Sequence, residues 1–171
     1  MKQKRFDRPS GTRNYKKLFI IASEGEVTEP SYFQLINNCQ TIVSVKCLKR
    51  SQSSPLYVLK KLEQYIKEEG LRSTDEAWLV VDVDEWPEND LIVLDTWSKK
   101  KENYGLAISN PCFEFWLLLH FHDPCTKNIT ASACTRELSK RIASYKDCKR
   151  ILPNQFNREH IHEAIRRARS C

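Results

Sequence analysis

The stretch KLFIIASEGEVTEPSYF, residues 17–33, decides the fold that we predict for this chain. Its first seven residues form a short apolar run without alternation, which is typical of a strand buried on both faces. Gly25 follows as a turn residue, Thr28 is suited to cap a helix, and Pro30 is suited to the first helical turn. The stretch therefore predicts a strand, a turn and a helix.

The same alternation continues toward the C-terminus. Three further runs predict strands, namely TIVSVKCLKR (41–50), AWLVVDVDEW (77–86) and LAISN (106–110). Three stretches predict helices, namely PLYVLKKLEQYIKEEG (55–70), PENDLIVLDTWSKKKENYG (87–105), which Gly105 would close, and PCFEFWLLLHF (111–121). Because buried strands alternate with helices, we expect an α/β fold with a mostly parallel sheet flanked by helices.

Charge is distributed unevenly along the chain. The net charge is +6, and residues 1–17 carry +6, residues 18–130 carry −6 and residues 131–171 carry +6. Basic ends around an acidic centre suit a protein that holds phosphate backbones with its flanks and metal ions in its middle. Solvated surface charge explains the two ends equally well.

We predict one globular unit with an appendage at each end. Residues 1–16 indicate a flexible basic arm, residues 17–125 the α/β domain, and residues 126–171 a basic helical extension packed on it. The last helical pattern reaches Cys171 without a cap, so we expect the chain either to be truncated there or to have its last ordered residue there. No apolar run is long enough to span a bilayer and no secretory signal is evident, so we expect a cytoplasmic protein.

Cysteine and histidine spacing gives little support for zinc. The seven cysteines include no C-x-x-C pair, which argues against a disulfide framework and against a two-pair zinc site. The segment HFHDPC places His120, His122 and Cys125 close together, but a fourth ligand is not evident. We therefore expect reduced thiols and no zinc site.

Acidic residues gather where the predicted strands end. Glu24 ends the first strand, Asp82 and Asp84 end the third, and Glu29 and Glu114 lie in the first turns of the helices that follow the first and fourth strands. Because the carboxyl ends of parallel strands share one edge, these side chains should meet there. Asp82 and Asp84 point the same way on a strand and would repel each other without a cation. Mg²⁺ prefers such oxygen ligands, so the pattern favours a phosphoryl-transfer site.

Most of these acids also have an explanation that needs no function, and the segment DVDEW could be an ordinary acidic loop. Acids in a first helical turn complement the helix dipole, which accounts for Glu26, Glu29 and Glu114, and a D-x-D pattern alone is a weak signal. The chain has no G-x-x-x-x-G-K-[ST] loop, which argues against a nucleotide-driven motor. Trp86, beside the acids, is a candidate for base stacking, although core and rim packing explains most tryptophans.

The acidic motifs resemble motifs of known protein families. Glu24-Gly25, Thr28-Glu29 and Asp82-Val83-Asp84 resemble the motifs of Toprim domains, especially those of OLD-family nucleases. The phrases IIASEGEVTEPSYF, VVDVDEW and ISNPCFEFWLLLHF together are similar, more closely, to the RloB family of prokaryotic proteins. This resemblance covers about residues 17–122, while the helical tail matches only in general character.

The resemblance implies a Toprim/Rossmann-like fold and a nuclease dependent on Mg²⁺ (or Mn²⁺). Such a nuclease would cleave DNA or RNA as an effector of antiviral defence, together with an ATPase partner of the ABC or SMC type. Glu24, Asp82 and Asp84 would be catalytic, and the metal ligands would be Glu24, Glu29, Asp82, Asp84 and Glu114; whether Glu26 or Glu85 joins them is undecided. Basic residues such as Lys46, Lys49 and Arg50, together with those of the C-terminal tail, would steer the nucleic acid.

A second interpretation remains open at this point. The chain could be a non-catalytic, Toprim-like binding or regulatory module that docks to the ATPase, with its acids holding Mg²⁺ or capping helices. Substitution separates the two, because Asp82→Ala or Glu24→Ala should abolish the function of a nuclease without disturbing its folding or its partner binding.

Overall fold

A computed structural model describes residues 16–37, 43–48, 54–83, 86–123, 129–143, 145 and 149–170. It contains the strands β1 (Lys17–Ser23), β2 (Val43–Leu48), β3 (Glu76–Asp82) and β4 (Tyr104–Ser109). The helices are α1 (Thr28–Gln34), α2 (Pro55–Glu69), α3 (Glu88–Ser98), α4 (Phe113–Leu119), α5 (Ala131–Arg141) and α6 (Arg158–Ala168), with a short 3-10 helix at Leu35–Asn37.

The four strands form one sheet in the order β2-β1-β3-β4, and every neighbouring pair is parallel. In register, Ser23 lies beside Val80 and Asp82 lies beside Ser109, so β1, β3 and β4 end at the same edge. The predicted α/β fold with a parallel sheet flanked by helices is confirmed, and it is consistent with a Toprim/Rossmann-like architecture.

Apolar cores cover both faces of the sheet, because the strands carry buried side chains on both sides. On one face, Ile20 and Leu79 pack against α2 and α3, where Leu62 and Leu94 are fully buried. On the other face, the core combines strand residues with residues of α1, α4, α5 and the segment that leads to α6; its members include Ile21, Val80, Tyr32, Leu117, Leu138, Ile151 and Phe156.

The C-terminal helices pack on α4. The Arg167 guanidinium donates a hydrogen bond to the carbonyl of Leu119, and α6 begins with a capping box in which the side chain of Asn157 accepts from the backbone N–H of His160 at 2.8 Å. Residues 1–15 and 124–128 lie outside the described residues, so the boundaries predicted at residues 16 and 125 stay a prediction.

Gly105 does not close α3 as predicted. The helix ends at Ser98, and Gly105 lies in β4 beside Trp78. A Cβ at position 105 would lie 2.5 Å from Cδ2 of the Trp78 ring. The glycine is therefore needed for the close approach of an aromatic ring, which the sequence pattern of a helix end cannot reveal.

An apolar cavity of about 700 Å³ lies between the sheet and α1, α4 and α6. Phe19, Trp78, Phe115 and Ile161 are among the residues that line it, and none of its lining residues within the described ranges is acidic. Within the described ranges, no helix is both long enough and apolar enough to cross a bilayer.

Candidate metal and active site

The structure brings Glu24 and Asp82 together at the carboxyl edge of the sheet. The backbone N–H of Glu24 donates to the carbonyl of Val80 at 3.2 Å, which extends the pairing of β1 with β3 by one residue. The Glu24 side chain then turns toward β3, where its Oε2 accepts from the backbone N–H of Asp82 at 3.2 Å. Glu24 is buried, whereas Asp82 is half-buried, so solvent reaches the Asp82 side of this contact.

Glu29 folds back onto the loop that precedes α1. Its Oε1 accepts from the backbone N–H of Gly25 at 2.8 Å, and the residue is 5% exposed. A Cβ at position 25 would lie only 1.6 Å from Glu29 Oε2. Gly25 was predicted as a turn residue, and the structure adds the physical reason that only a residue without a side chain leaves room for this carboxylate.

Substitution of Gly25 tests this arrangement. We expect Gly25→Ala to expel the Glu29 carboxylate from the backbone and to lower the free energy of unfolding by about 1.5 to 3 kcal/mol, the usual worth of a hydrogen bond to a charged group. Urea unfolding followed by circular dichroism measures the change. In a Glu29→Ala background the same substitution should cost less than about 0.5 kcal/mol. An equal cost in both backgrounds would show that the glycine serves another purpose.

Glu114 belongs to a second group of side chains, centred on Tyr145. The Tyr145 hydroxyl donates to Oε1 of Glu114 and lies 3.4 Å from Oγ1 of Thr28. Burial, together with the bond to Glu114, raises the pKa of Tyr145 far above its ordinary value, so the phenol stays protonated as a donor. Glu114 is thereby linked to the start of α1 through a residue of the C-terminal segment.

Thr28 does not cap α1 as predicted. Val27 occupies the N-cap position without a side-chain bond, and α1 begins at Thr28 itself. The Thr28 hydroxyl instead donates to the carbonyl of Lys149 at 3.1 Å. Sequence reasoning missed both Tyr145 and Lys149, because no local pattern in the basic tail indicates that it contacts the first motif.

The chemistry of the donor set fits Mg²⁺, since Glu24 and Asp82 offer carboxylate oxygens at one edge. Within the described ranges, no three His, Cys, Asp or Glu side chains form a group that could hold a metal ion. Asp84 and Glu85 lie outside the described residues, so the complete ligand set stays a prediction. Glu26 is exposed in the loop before α1.

His120 serves the core of the protein. Its Nδ1 lies 3.0 Å from the carbonyl of Trp116, and its Nε2 lies 3.0 Å from the hydroxyl of Tyr32. Because a carbonyl can only accept, Nδ1 carries the proton and Nε2 accepts from Tyr32. Both ring nitrogens thus have hydrogen-bond partners; Cys125 lies outside the described residues.

His120 should make stability depend on pH. Burial lowers the pKa of His120 to about 4, against an ordinary value of 6.5. Because the unfolded chain takes up this proton at a higher pH than the folded chain, the free energy of unfolding should fall by about 3 kcal/mol as the pH drops from 6.5 to 4. Urea unfolding across this range measures the fall, and His120→Gln should flatten it. A wild-type profile as flat as that of the variant would contradict the assignment.

Of the predicted basic residues Lys46, Lys49 and Arg50, Lys46 alone is described by the structure, and its contacts lie with α2. Nζ of Lys46 donates to the Tyr65 hydroxyl at 3.0 Å and lies 4.3 Å from the centre of its ring, which ties this lysine to α2. Lys49 and Arg50 lie outside the described residues, and Trp86 is half-buried. A role in steering nucleic acid stays a prediction for all three basic residues.

Comparison with known proteins places the chain in a family. A family model described as RloB-like protein matches residues 19–171. Searches of curated proteins and of solved structures returned no significant match. The matched range contains every predicted site residue and also the segment between α5 and α6 that supplies Tyr145 and Lys149. Because the match covers most of its length, the chain belongs to the RloB-like protein family.

Proposed function

We propose that this protein is a nuclease dependent on Mg²⁺ or Mn²⁺, which hydrolyses phosphodiester bonds of DNA or RNA as an effector of antiviral defence alongside an ATPase of the ABC or SMC type. The observation that carries the proposal is the contact between the Glu24 carboxylate and the backbone of Asp82 at the carboxyl edge of a parallel sheet. Sites for phosphate ligands in such sheets form at this edge.

Each of the two carboxylates has its own task in this proposal. Asp82, which is half-buried, would hold the metal together with Asp84 and one oxygen of Glu24. Glu24 is buried and fixed by the backbone of β3, so its carboxylate is held in one orientation to accept the proton of the attacking water. When bound, Mg²⁺ would polarise the scissile phosphate and lower the pKa of that water. The water oxygen would bond to phosphorus as its proton passes to Glu24, one P–O ester bond would break, and the leaving oxygen would take up a proton from solvent.

Glu29 and Glu114 act as supporting residues in this proposal. The bond from Gly25 to Glu29 fixes the loop between β1 and α1, and the bond from Tyr145 to Glu114 fixes the first turn of α4 against the C-terminal segment. Both carboxylates therefore keep the walls of the site in place, and either can add an oxygen ligand from there.

A cleavage assay tests the proposal. Purified protein is incubated with plasmid DNA, single-stranded DNA and tRNA in Mg²⁺, in Mn²⁺ and in EDTA, both alone and with the ATPase partner. We expect cleavage of at least one substrate in the presence of metal and none in EDTA. The absence of cleavage under every condition, with the partner present, would overturn the nuclease assignment.

A specific observation favours the alternative of a non-catalytic module. The carboxylates of Glu29 and Glu114 both accept hydrogen bonds from within the protein, which is the arrangement expected of structural acids. Under this alternative, Glu24 and Asp82 variants would keep the cellular function, and only substitutions on the surface that docks to the partner would remove it.

A further inference from the structure

A segment of the C-terminal region is fixed against the start of α1 by two hydrogen bonds and is braced by a third within the segment. The carbonyl of Lys149 accepts from the Thr28 hydroxyl at 3.1 Å, and the backbone N–H of Ile151 donates to Oγ of Ser31 at 3.0 Å. The backbone N–H of Lys149 donates to the carbonyl of Tyr145 at 3.1 Å. Ile151 itself is buried in the core, so residues 149–151 are held firmly beside the first turn of α1.

The backbone of Lys149 has an unusual conformation. Its φ angle is 51°, and it is the one non-glycine residue with a positive φ within the described ranges. This left-handed region is unfavourable for a lysine, whereas glycine and asparagine adopt it more readily. The surrounding hydrogen bonds maintain the conformation, and such local strain tends to occur where function requires it.

The side chain at this position is exposed, as is that of Arg150. Two cationic side chains thus project from a segment whose backbone contacts Thr28, the residue next to Glu29. The carboxylates of Glu24 and Asp82 repel a polyanion, so a nucleic acid can approach them only where nearby cations offset that repulsion.

We propose that Lys149, supported by Arg150, binds the phosphodiester backbone of the nucleic acid beside the carboxylate edge. The inference rests on the proposed function and adds the residues that hold the substrate there. A lysine ammonium binds phosphate as a point charge with three hydrogen-bond donors and does not discriminate between bases. The contact should therefore raise affinity equally for all sequences and show itself in the dependence of binding on salt.

Equilibrium binding in EDTA, where cleavage is prevented, tests the inference independently of catalysis. Fluorescence anisotropy follows the binding of labelled single-stranded DNA, duplex DNA and RNA oligonucleotides between about 50 and 200 mM salt. Lys149→Asn removes the charge while keeping a residue that tolerates the left-handed backbone. Lys60 is exposed on α2, which packs on the other face of the sheet from α1. The matched control is Lys60→Gln, which removes one positive charge at a distance from Lys149.

We expect Lys149→Asn to weaken binding about fivefold near 100 mM salt and to reduce the slope of log affinity against log salt by about 0.7 to 0.9, the value of one phosphate contact. Lys149→Arg should restore both, and Lys60→Gln should change neither. If Lys149→Asn bound with wild-type affinity and with an unaltered slope of log affinity against log salt, this inference alone would be overturned. A wild-type protein that binds none of the oligonucleotides would overturn the proposed function as well.

Discussion

The Asp82→Asn variant should lose metal-dependent cleavage by about a thousandfold or more, equivalent to about 4 kcal/mol of transition-state stabilisation. The amide has nearly the size of the carboxylate but carries no charge, and Mg²⁺ binds a neutral amide much more weakly than an anionic oxygen. The backbone N–H of Asp82 still donates to Glu24 in the variant, so the fold of the edge should persist. Initial rates of cleavage under saturating metal measure the effect.

A matched substitution separates this effect from a general loss of charge. Asp95 lies on α3, which covers the face of the sheet opposite to α1 and α4. Its carboxylate forms an exposed ion pair with Lys99 at 2.6 Å. Asp95→Asn should cleave at the wild-type rate, since an exposed ion pair contributes little to stability. Cleavage by Asp82→Asn at a rate close to that of Asp95→Asn would remove Asp82 from the mechanism.

The Leu138→Ala variant should lower the free energy of unfolding by about 3 to 5 kcal/mol and the melting temperature by about 10 °C. Leu138 lies on α5, is fully buried, and belongs to the same core as Ile21 and Val80 of the sheet. Truncation leaves a cavity in a core that joins the C-terminal helices to the sheet, so the whole protein should lose stability. Thermal unfolding followed by circular dichroism measures the shift.

Leu152 provides the control for this substitution. Its side chain is 40% exposed, so Leu152→Ala should change the stability by less than about 1 kcal/mol. If the C-terminal helices were an independent extension, Leu138→Ala would melt them separately and leave the main transition unchanged. A second, earlier transition in the variant would therefore contradict the shared core.

Local sequence signals were sufficient for the main elements of the fold. The apolar run KLFIIAS corresponds to β1 from its first residue to its last. Helix α2 begins at Pro55 and ends before Gly70, in agreement with the predicted stretch 55–70. These predictions succeeded because apolar periodicity and end signals act within a few residues of the chain.

Contacts between distant parts of the chain could not be predicted in this way. The pattern around Thr28 indicated a helix cap, whereas its hydroxyl bonds to Lys149, which lies 121 residues away. Gly105 indicated a helix end, whereas it makes room for Trp78. Tertiary contact decided both positions, and a local pattern carries no information about the partner.

The candidate site, like the fold, could be predicted only where it depends on the order of the strands. That Glu24 and Asp82 share an edge followed from the parallel order of the strands, and the structure places them in contact. That Tyr145 links Glu114 to Thr28 did not follow. The resemblance noticed in the sequence stopped near residue 122, whereas the family match continues to residue 171, so the tail that supplies Tyr145 and Lys149 belongs to the family as well.

The measurement that tests the central claim most directly is a titration of the purified protein with Mn²⁺, followed by electron paramagnetic resonance. The wild-type protein should bind Mn²⁺ saturably and release it to excess Mg²⁺. Glu24→Gln and Asp82→Asn should each weaken the binding about tenfold or more, because each removes one anionic oxygen donor. Saturable binding that is unchanged in both variants, or no binding by the wild-type protein, would contradict a metal site at this edge of the sheet.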